Sequence, residues 1–282
     1  MGNYYGDIYQ TNSVPAHPAG KEIRTPDGRC FKYMQNTSGG ALAKGNLLKL
    51  EGASGGTGAA DGGIIMTGTL AAVTAIGARR VTDTAVFTTT SLQDMHDVQE
   101  NGHVYMFWTT GSTGVAQGGP IIRRVSDTQI DIYDWAGETG AFATALAATT
   151  TYAIQCFTRV ELTEEAADIP VGTALTAVAD DEWFWMQTEG LGIVLFDTST
   201  ATTLEEVVLP GAEAGHGEGI AAGGTAAVPL SIVGRAPLGM DVDADGLLPL
   251  TLCMRQNSTF CRNDRLFPFC MGDYSHAFPR MS

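Results

Sequence analysis

Three stretches of the chain hold residues whose types and spacing could do chemistry. Asp241-Val242-Asp243-Ala244-Asp245-Gly246 sets three alternating carboxylates ahead of a glycine, the first half of a calcium-binding loop. The second half fails, because Leu252 stands where a bidentate glutamate is required and Pro249 to Leu252 reads as a strand. Asp and Gly both favour turns, so an acidic hairpin turn is the reading adopted. Asp241, Asp243 and Asp245 stay the only metal-ligand candidates, and neither a metal nor any other cofactor is expected. His216-Gly217-Glu218 matches a fragment of a zinc deaminase signature, but no Pro-Cys-x-x-Cys accompanies it, so it reads as a loop. Trp183 and Trp185, two residues apart, share one face of a strand and could stack a sugar or a base. A core or subunit-interface role is favoured, because large aromatics dominate buried contacts between chains.

The other histidines, His17, His96, His103 and His276, are isolated, and His96 between Asp94 and Asp97 reads as a solvated helix face. The chain has no HExxH and no GxGxxG. The Gly-rich stretch from Glu51 to Gly63 lacks the Lys-Ser/Thr ending of a phosphate-binding loop and reads as a surface loop. The chain is not expected to be an enzyme.

The elements that would position these groups are strands. Charged residues make up only 17% of the 282, and Lys is confined to Lys21, Lys32, Lys44 and Lys49, so the usual fillers of exposed helices are missing. A hydrophobic share of 44% is enough for a sizeable core. Asp180 to Phe196 reads as a β-hairpin: an aromatic strand, a polar-glycine turn, then an apolar strand. A second hairpin is expected from Arg29 to Leu50, turning at Ser38-Gly39-Gly40. Apolar segments lie near Ile64 to Thr69 and Ala85 to Thr89, and further strands are expected near His103 to Trp108, Ile121 to Val125, Thr128 to Trp135, Tyr152 to Phe157, Val207 to Leu209, Val228 to Val233 and Leu247 to Leu252. Ser91-Leu92-Gln93-Asp94 opens the best helix candidate, which Gly102 would close. The expected class is all-β, a barrel or sandwich with few short helices and extended arms at both ends.

The expected divisions are an N-terminal arm over 1–25, a β-rich domain over 26–163, a second β-rich domain or the remainder of the same barrel over 164–254, and an aromatic C-terminal arm over 255–282. The formal net charge of −15 is unevenly spread: no Lys or Arg lies between Arg159 and Arg235, whereas both ends are mildly basic. The acidic body would repel nucleic acid. Five scattered cysteines without a CxxC pair argue for free, buried thiols. Asn36-Thr37-Ser38 and Asn257-Ser258-Thr259 match glycosylation acceptors by pattern alone. No apolar run approaches the ~20 residues of a membrane-spanning helix, and no membrane partner is expected.

Pro26-Asp27-Gly28-Arg29-Cys30-Phe31-Lys32-Tyr33, followed by Ala41-Leu42-Ala43-Lys44-Gly45-Asn46-Leu47, resembles the opening of head decoration, or capsid cement, proteins of tailed phages. The similarity extends through Glu182-Trp183-Phe184-Trp185-Met186-Gln187-Thr188-Glu189-Gly190 and Ser231-Ile232-Val233-Gly234-Arg235-Ala236-Pro237. His103-Val104-Tyr105, Ile121-Ile122-Arg123-Arg124 and Thr149-Thr150-Thr151-Tyr152 are similar to the middle segments of larger members. The resemblance implies a non-enzymatic β-barrel protein, made in the host cytoplasm and seated on the outer surface of a phage head. Its partners would be the major capsid protein and itself, as a homotrimer. Tyr4, Tyr5, Tyr9, Trp183, Trp185, Phe267, Phe269 and Tyr274 are the expected capsid or subunit contacts. An adhesin or glycan-binding module of the virion is the alternative.

Overall fold

A computed structural model describes residues 7–52, 63–89, 92, 103, 105–110, 117–135, 139–164, 168–196, 207–211, 213–219, 234–235 and 247–253. It is nearly all β, with no helix of seven or more residues among those described. The chain forms two compact units, one of residues 1–49 with 160–282 and the other of residues 50–159. This division differs from the expected one, since the second unit is inserted within the first rather than following it.

The first unit contains β1 (Glu22–Arg24), β2 (Cys30–Asn36), β3 (Leu47–Leu50), β10 (Arg159–Leu162), β11 (Gly172–Ala174) and β12 (Trp183–Leu195). The ladders run β2-β10-β3-β11-β12 and return from β12 to β2, which closes a five-stranded barrel without a free edge. The expected Arg29 to Leu50 hairpin is therefore corrected: β2 and β3 are strands, but β10 lies between them. Asn36 lets the chain leave β2 sideways. Its buried Nδ2 donates to Gly40 O at 2.8 Å and Ala179 O at 2.9 Å, and its Oδ1 accepts from Ser38 N at 3.1 Å.

The second expected hairpin is also corrected. β12 is one 13-residue strand through Thr188-Glu189-Gly190, because the glycine serves a bulge, not a reversal. The register slips between Gln187 and Glu189, and Gly190 sits at φ 86°, where a side chain would also meet the Arg29 backbone. Before the bulge β12 pairs with β2, and from Glu189 onward it pairs with β16 (Leu247–Cys253). A ribbon of β15 (Gly234–Arg235), β13 (Val207–Pro210) and β14 (Gly217–Gly219) continues beyond β16. His216-Gly217-Glu218 thus runs into a strand rather than lying in an open loop.

The inserted unit is one antiparallel sheet in the order β4 (Ile64–Thr69), β9 (Thr151–Cys156), β6 (Tyr105–Thr109), β7 (Gly118–Ser126), β8 (Gln129–Ile132) and β5 (Arg80–Thr82). The sheet is rolled until its edges meet, as Ala71 N donates to Thr82 O at 2.9 Å. Phe87, Leu92, Tyr105, Phe107, Ile130, Ile132, Phe142, Tyr152 and Ile154 fill its interior. Two glycines permit the roll: a Cβ at Gly118 would stand 2.0 Å from Phe107 O, and one at Gly119 would stand 1.8 Å from Tyr133 O. The apolar segment Ala85 to Thr89 supplies Phe87 to this core without becoming a strand. Apart from the buried Leu92, the expected helix from Ser91 lies outside the described residues, as do the strand near Val228 and the C-terminal arm.

Candidate contact surfaces

On the barrel, Trp183 and Trp185 both point to one face, and that face is covered. The N-terminal segment opens with a short 3-10 turn (Asp7–Tyr9) that places Ile8, 1% exposed, among Phe31, Tyr33, Leu175, Trp183 and Trp185. Asn12 and Trp183 exchange backbone hydrogen bonds, and the Tyr33 hydroxyl accepts from Asn12 Nδ2 at 3.2 Å and from Ala16 N at 3.1 Å. Gly20 N donates to Tyr33 O at 2.7 Å, and β1 then pairs with β2. His17 completes the cover, its ring 5.2 Å from Tyr33 and 5.1 Å from Trp185. Burial, aided by the Lys21 charge, holds His17 below the usual imidazole range.

The described part of the expected extended arm is therefore a strap on its own barrel. Apolar side chains such as Ile8, and backbone groups that need partners, find both on the aromatic face. Trp183 and Trp185 are each 2% exposed, which agrees with the core side of the core-or-interface reading and leaves neither on the surface of the protomer as a capsid contact. Tyr9, 52% exposed, remains on the surface. Tyr4, Tyr5, Phe267, Phe269 and Tyr274 lie outside the described residues, as do Asp241, Asp243 and Asp245.

The exposed tryptophan is elsewhere. Trp135, 37% exposed, meets Trp108 edge-on at 5.3 Å between centroids. Trp108 Nε1 is buried with no hydrogen-bond partner among the described residues. The two come together because Trp135 N donates to Gly118 O while Trp108 pairs with Gly118 across the β6–β7 ladder. Only non-local pairing joins them, which is why the sequence spacing does not announce the pair.

Several titratable groups among the described residues are held in packed or ion-paired positions. His103, 4% exposed, shares its Nδ1 with Thr158 Oγ1 at 2.8 Å, and Thr158 Oγ1 also lies 3.4 Å from Cys156 Sγ. Burial, with the Arg159 charge, takes the His103 pKa down to about 3. Burial likewise pushes the Cys156 thiol up. A neutral imidazole beside an un-ionised thiol, both closed to solvent, makes a packing cluster rather than a nucleophile and base. Cys30 is also buried and free.

Asp131 accepts from Arg80 Nε at 2.7 Å and from Arg123 Nη2 at 2.6 Å. The Arg80 bond, followed by that from Arg123, holds its carboxyl below the usual range. Lys49 Nζ lies 3.2 Å from Asp168, 3.5 Å from Glu161 and 3.8 Å from Glu164. Burial opposes the lysine charge, but these carboxylates, Asp168 first, outweigh it and raise the pKa. Among the described residues no group of three His, Cys, Asp or Glu could hold a metal ion. No described helix is long and apolar enough to cross a membrane.

No protein-family model matches this chain, and no curated protein or solved structure matches it. The functional reading rests on the residues themselves.

Proposed function

We propose that this chain is a structural virion protein, a capsid decoration or cement protein that binds the outer surface of a phage head and stabilises contacts between capsomers. It has no catalytic role, and its partners are the major capsid protein and further copies of itself, as a homotrimer. One observation supports this reading most. The segments that resemble decoration proteins, Pro26 to Tyr33, Ala41 to Leu47 and Glu182 to Gly190, lie far apart in sequence. In the fold they supply β2, the entry to β3 and the first part of β12, three strands of one barrel. Short motifs that meet in one closed ladder behave as a structural unit, as a shared scaffold would.

Multivalency supplies the physical logic: several weak contacts on different capsomers multiply, so that a loosely bound protomer resists internal pressure as part of an assembly. The test is sedimentation of the purified chain with undecorated heads. Co-sedimentation to a saturating, symmetry-related ratio is expected; a chain that stays in the supernatant at all ratios overturns the proposal.

A glycan-binding role is the second reading; with Trp183 and Trp185 buried, its candidate is the Trp108–Trp135 pair. A partly exposed indole backed by an unpartnered N–H suits a sugar ring. Saturable glycan binding that disappears in Trp135→Ala would favour this reading.

A further inference from the structure

The inserted unit carries an exposed apolar apron. Thr74 and Leu146, both buried, exchange backbone hydrogen bonds at 2.9 Å and pin two loops side by side. Their neighbours turn outward: Val73 is 68% and Ile76 69% exposed, and Ala71, Ala72, Ala75, Ala143, Ala145 and Ala147 are exposed around them. No charged residue interrupts either loop from Leu70 to Ala78 or from Ala141 to Ala148. Burying Val73 and Ile76 would be favourable, and contiguous apolar surface of this kind marks interaction sites.

The border of the apron is basic. Arg79 and Arg80 follow it directly, and Asp131 holds Arg123 beside Arg80 across β5, β8 and β7. Asp131 offsets one of these charges, and the Arg80 and Arg123 side chains remain 45% and 58% exposed. An apolar centre with an arginine rim fits a protein surface that is acidic.

Such a surface exists on the chain itself. Asp180, Asp181 and Glu182 form an acidic turn before β12, where Asp180 Oδ1 accepts from Gly39 N and Glu182 Oε2 from Ala179 N. None of the three forms an ion pair among the described residues, and no Lys or Arg occurs from Val160 to Gly234. We propose that the apron and its arginine rim dock on the acidic barrel surface around Asp180-Asp181-Glu182 of a second copy, head to tail. This inference rests on the self-association in the proposed function and is independent of capsid binding. Because the joined surfaces differ, the contact is heterologous and builds a ring or an open filament rather than a two-fold dimer.

Light scattering coupled to size-exclusion chromatography tests it, at about 50 mM and about 500 mM salt. The wild-type chain is expected to form an oligomer whose dissociation constant rises about tenfold or more at high salt. Val73→Asp/Ile76→Asp is expected to run as a protomer with an unchanged circular dichroism spectrum. Asp180→Asn/Asp181→Asn/Glu182→Gln, which keeps the hydrogen-bond acceptors, should weaken association about tenfold and remove most of the salt dependence. A wild-type chain that is monomeric at every concentration, or an apron variant that stays oligomeric, overturns the inference. Head sedimentation separates the two proposals. A wild-type oligomer that ignores heads sinks the capsid reading alone, whereas an apron variant that keeps its oligomer but loses heads assigns the apron to the capsid and overturns the inference.

Discussion

Asn12 and Trp183 exchange both of their backbone hydrogen bonds, Asn12 N to Trp183 O at 2.9 Å and Trp183 N to Asn12 O at 2.8 Å. This antiparallel pair fixes the N-terminal strap to the first residue of the longest strand. The strap is therefore part of the barrel core, and its removal is a folding experiment before it is a binding one.

Deleting residues 1–20 is expected to uncover Trp183 and Trp185, red-shift tryptophan emission and lower the unfolding midpoint of the barrel. Loss of the Ile8 side chain alone should cost about 2 to 5 kcal/mol. Ile8→Ala in a denaturant titration checks the magnitude. An unchanged midpoint would mean that the strap does not hold the aromatic face closed.

Gln187 is fully buried, and its Nε2 donates to Glu189 O and Leu191 O, each at 3.0 Å. The side chain thus bridges the bulge that lets β12 change partners. Gln187→Ala is expected to cost about 1 to 3 kcal/mol and to speed amide exchange from Glu189 to Leu195 more than from Trp183 to Met186. Uniform exchange along β12 would count against a local role.

His103 gives the inserted unit an acid sensitivity. An unfolded chain protonates this imidazole near the usual 6.5, but the buried ring does so only at about 3. Between those values the unfolded state binds more protons, so stability falls as pH falls. By pH 4.5 the penalty is roughly 3 kcal/mol. His103→Asn, which can retain the Thr158 hydrogen bond, should show a smaller loss between pH 7 and pH 4.5 in thermal melts; an equal loss would remove His103 from the account.

Gly119→Ala should unfold the inserted unit, since a methyl group has no space against Tyr133 O. The expected cost exceeds about 3 kcal/mol, whereas Gly77→Ala, with nothing within 4 Å of its Cβ, reports only the strain of its φ of 80°. Comparable melting of the two variants would show that the β7 approach can relax.

Strand content was legible where an alternating or continuously apolar run lasted four residues or more, as in β2, β6, β8 and β9. The three-residue strands β5 and β11 carry no period to read, and their place is set by ladders that close from elsewhere. Both misread hairpins share a cause. Turn residues at Ser38-Gly39-Gly40 and Thr188-Glu189-Gly190 signal a change of course, but only the tertiary partners decide whether the chain reverses, steps past an intervening strand or bulges. Ile8 lay in a segment read as an arm because Pro15 and Pro18 exclude regular structure; they do not exclude burial. The Trp183–Trp185 spacing correctly indicated a shared face, while its cover came from residues more than 160 positions away.

The insertion also sets an order of synthesis. Residues 50–159 emerge from the ribosome as a complete unit, whereas β2 cannot close its ladder until β12 has been translated. During that interval Phe31, Tyr33 and Met34 have neither Trp183 nor Trp185 to pack against, so the waiting aromatic strand is a natural client for a chaperone. Slow, late closure is the expected rate-limiting event of maturation. Fusing the two halves of the barrel through a short linker in place of the insertion should accelerate it.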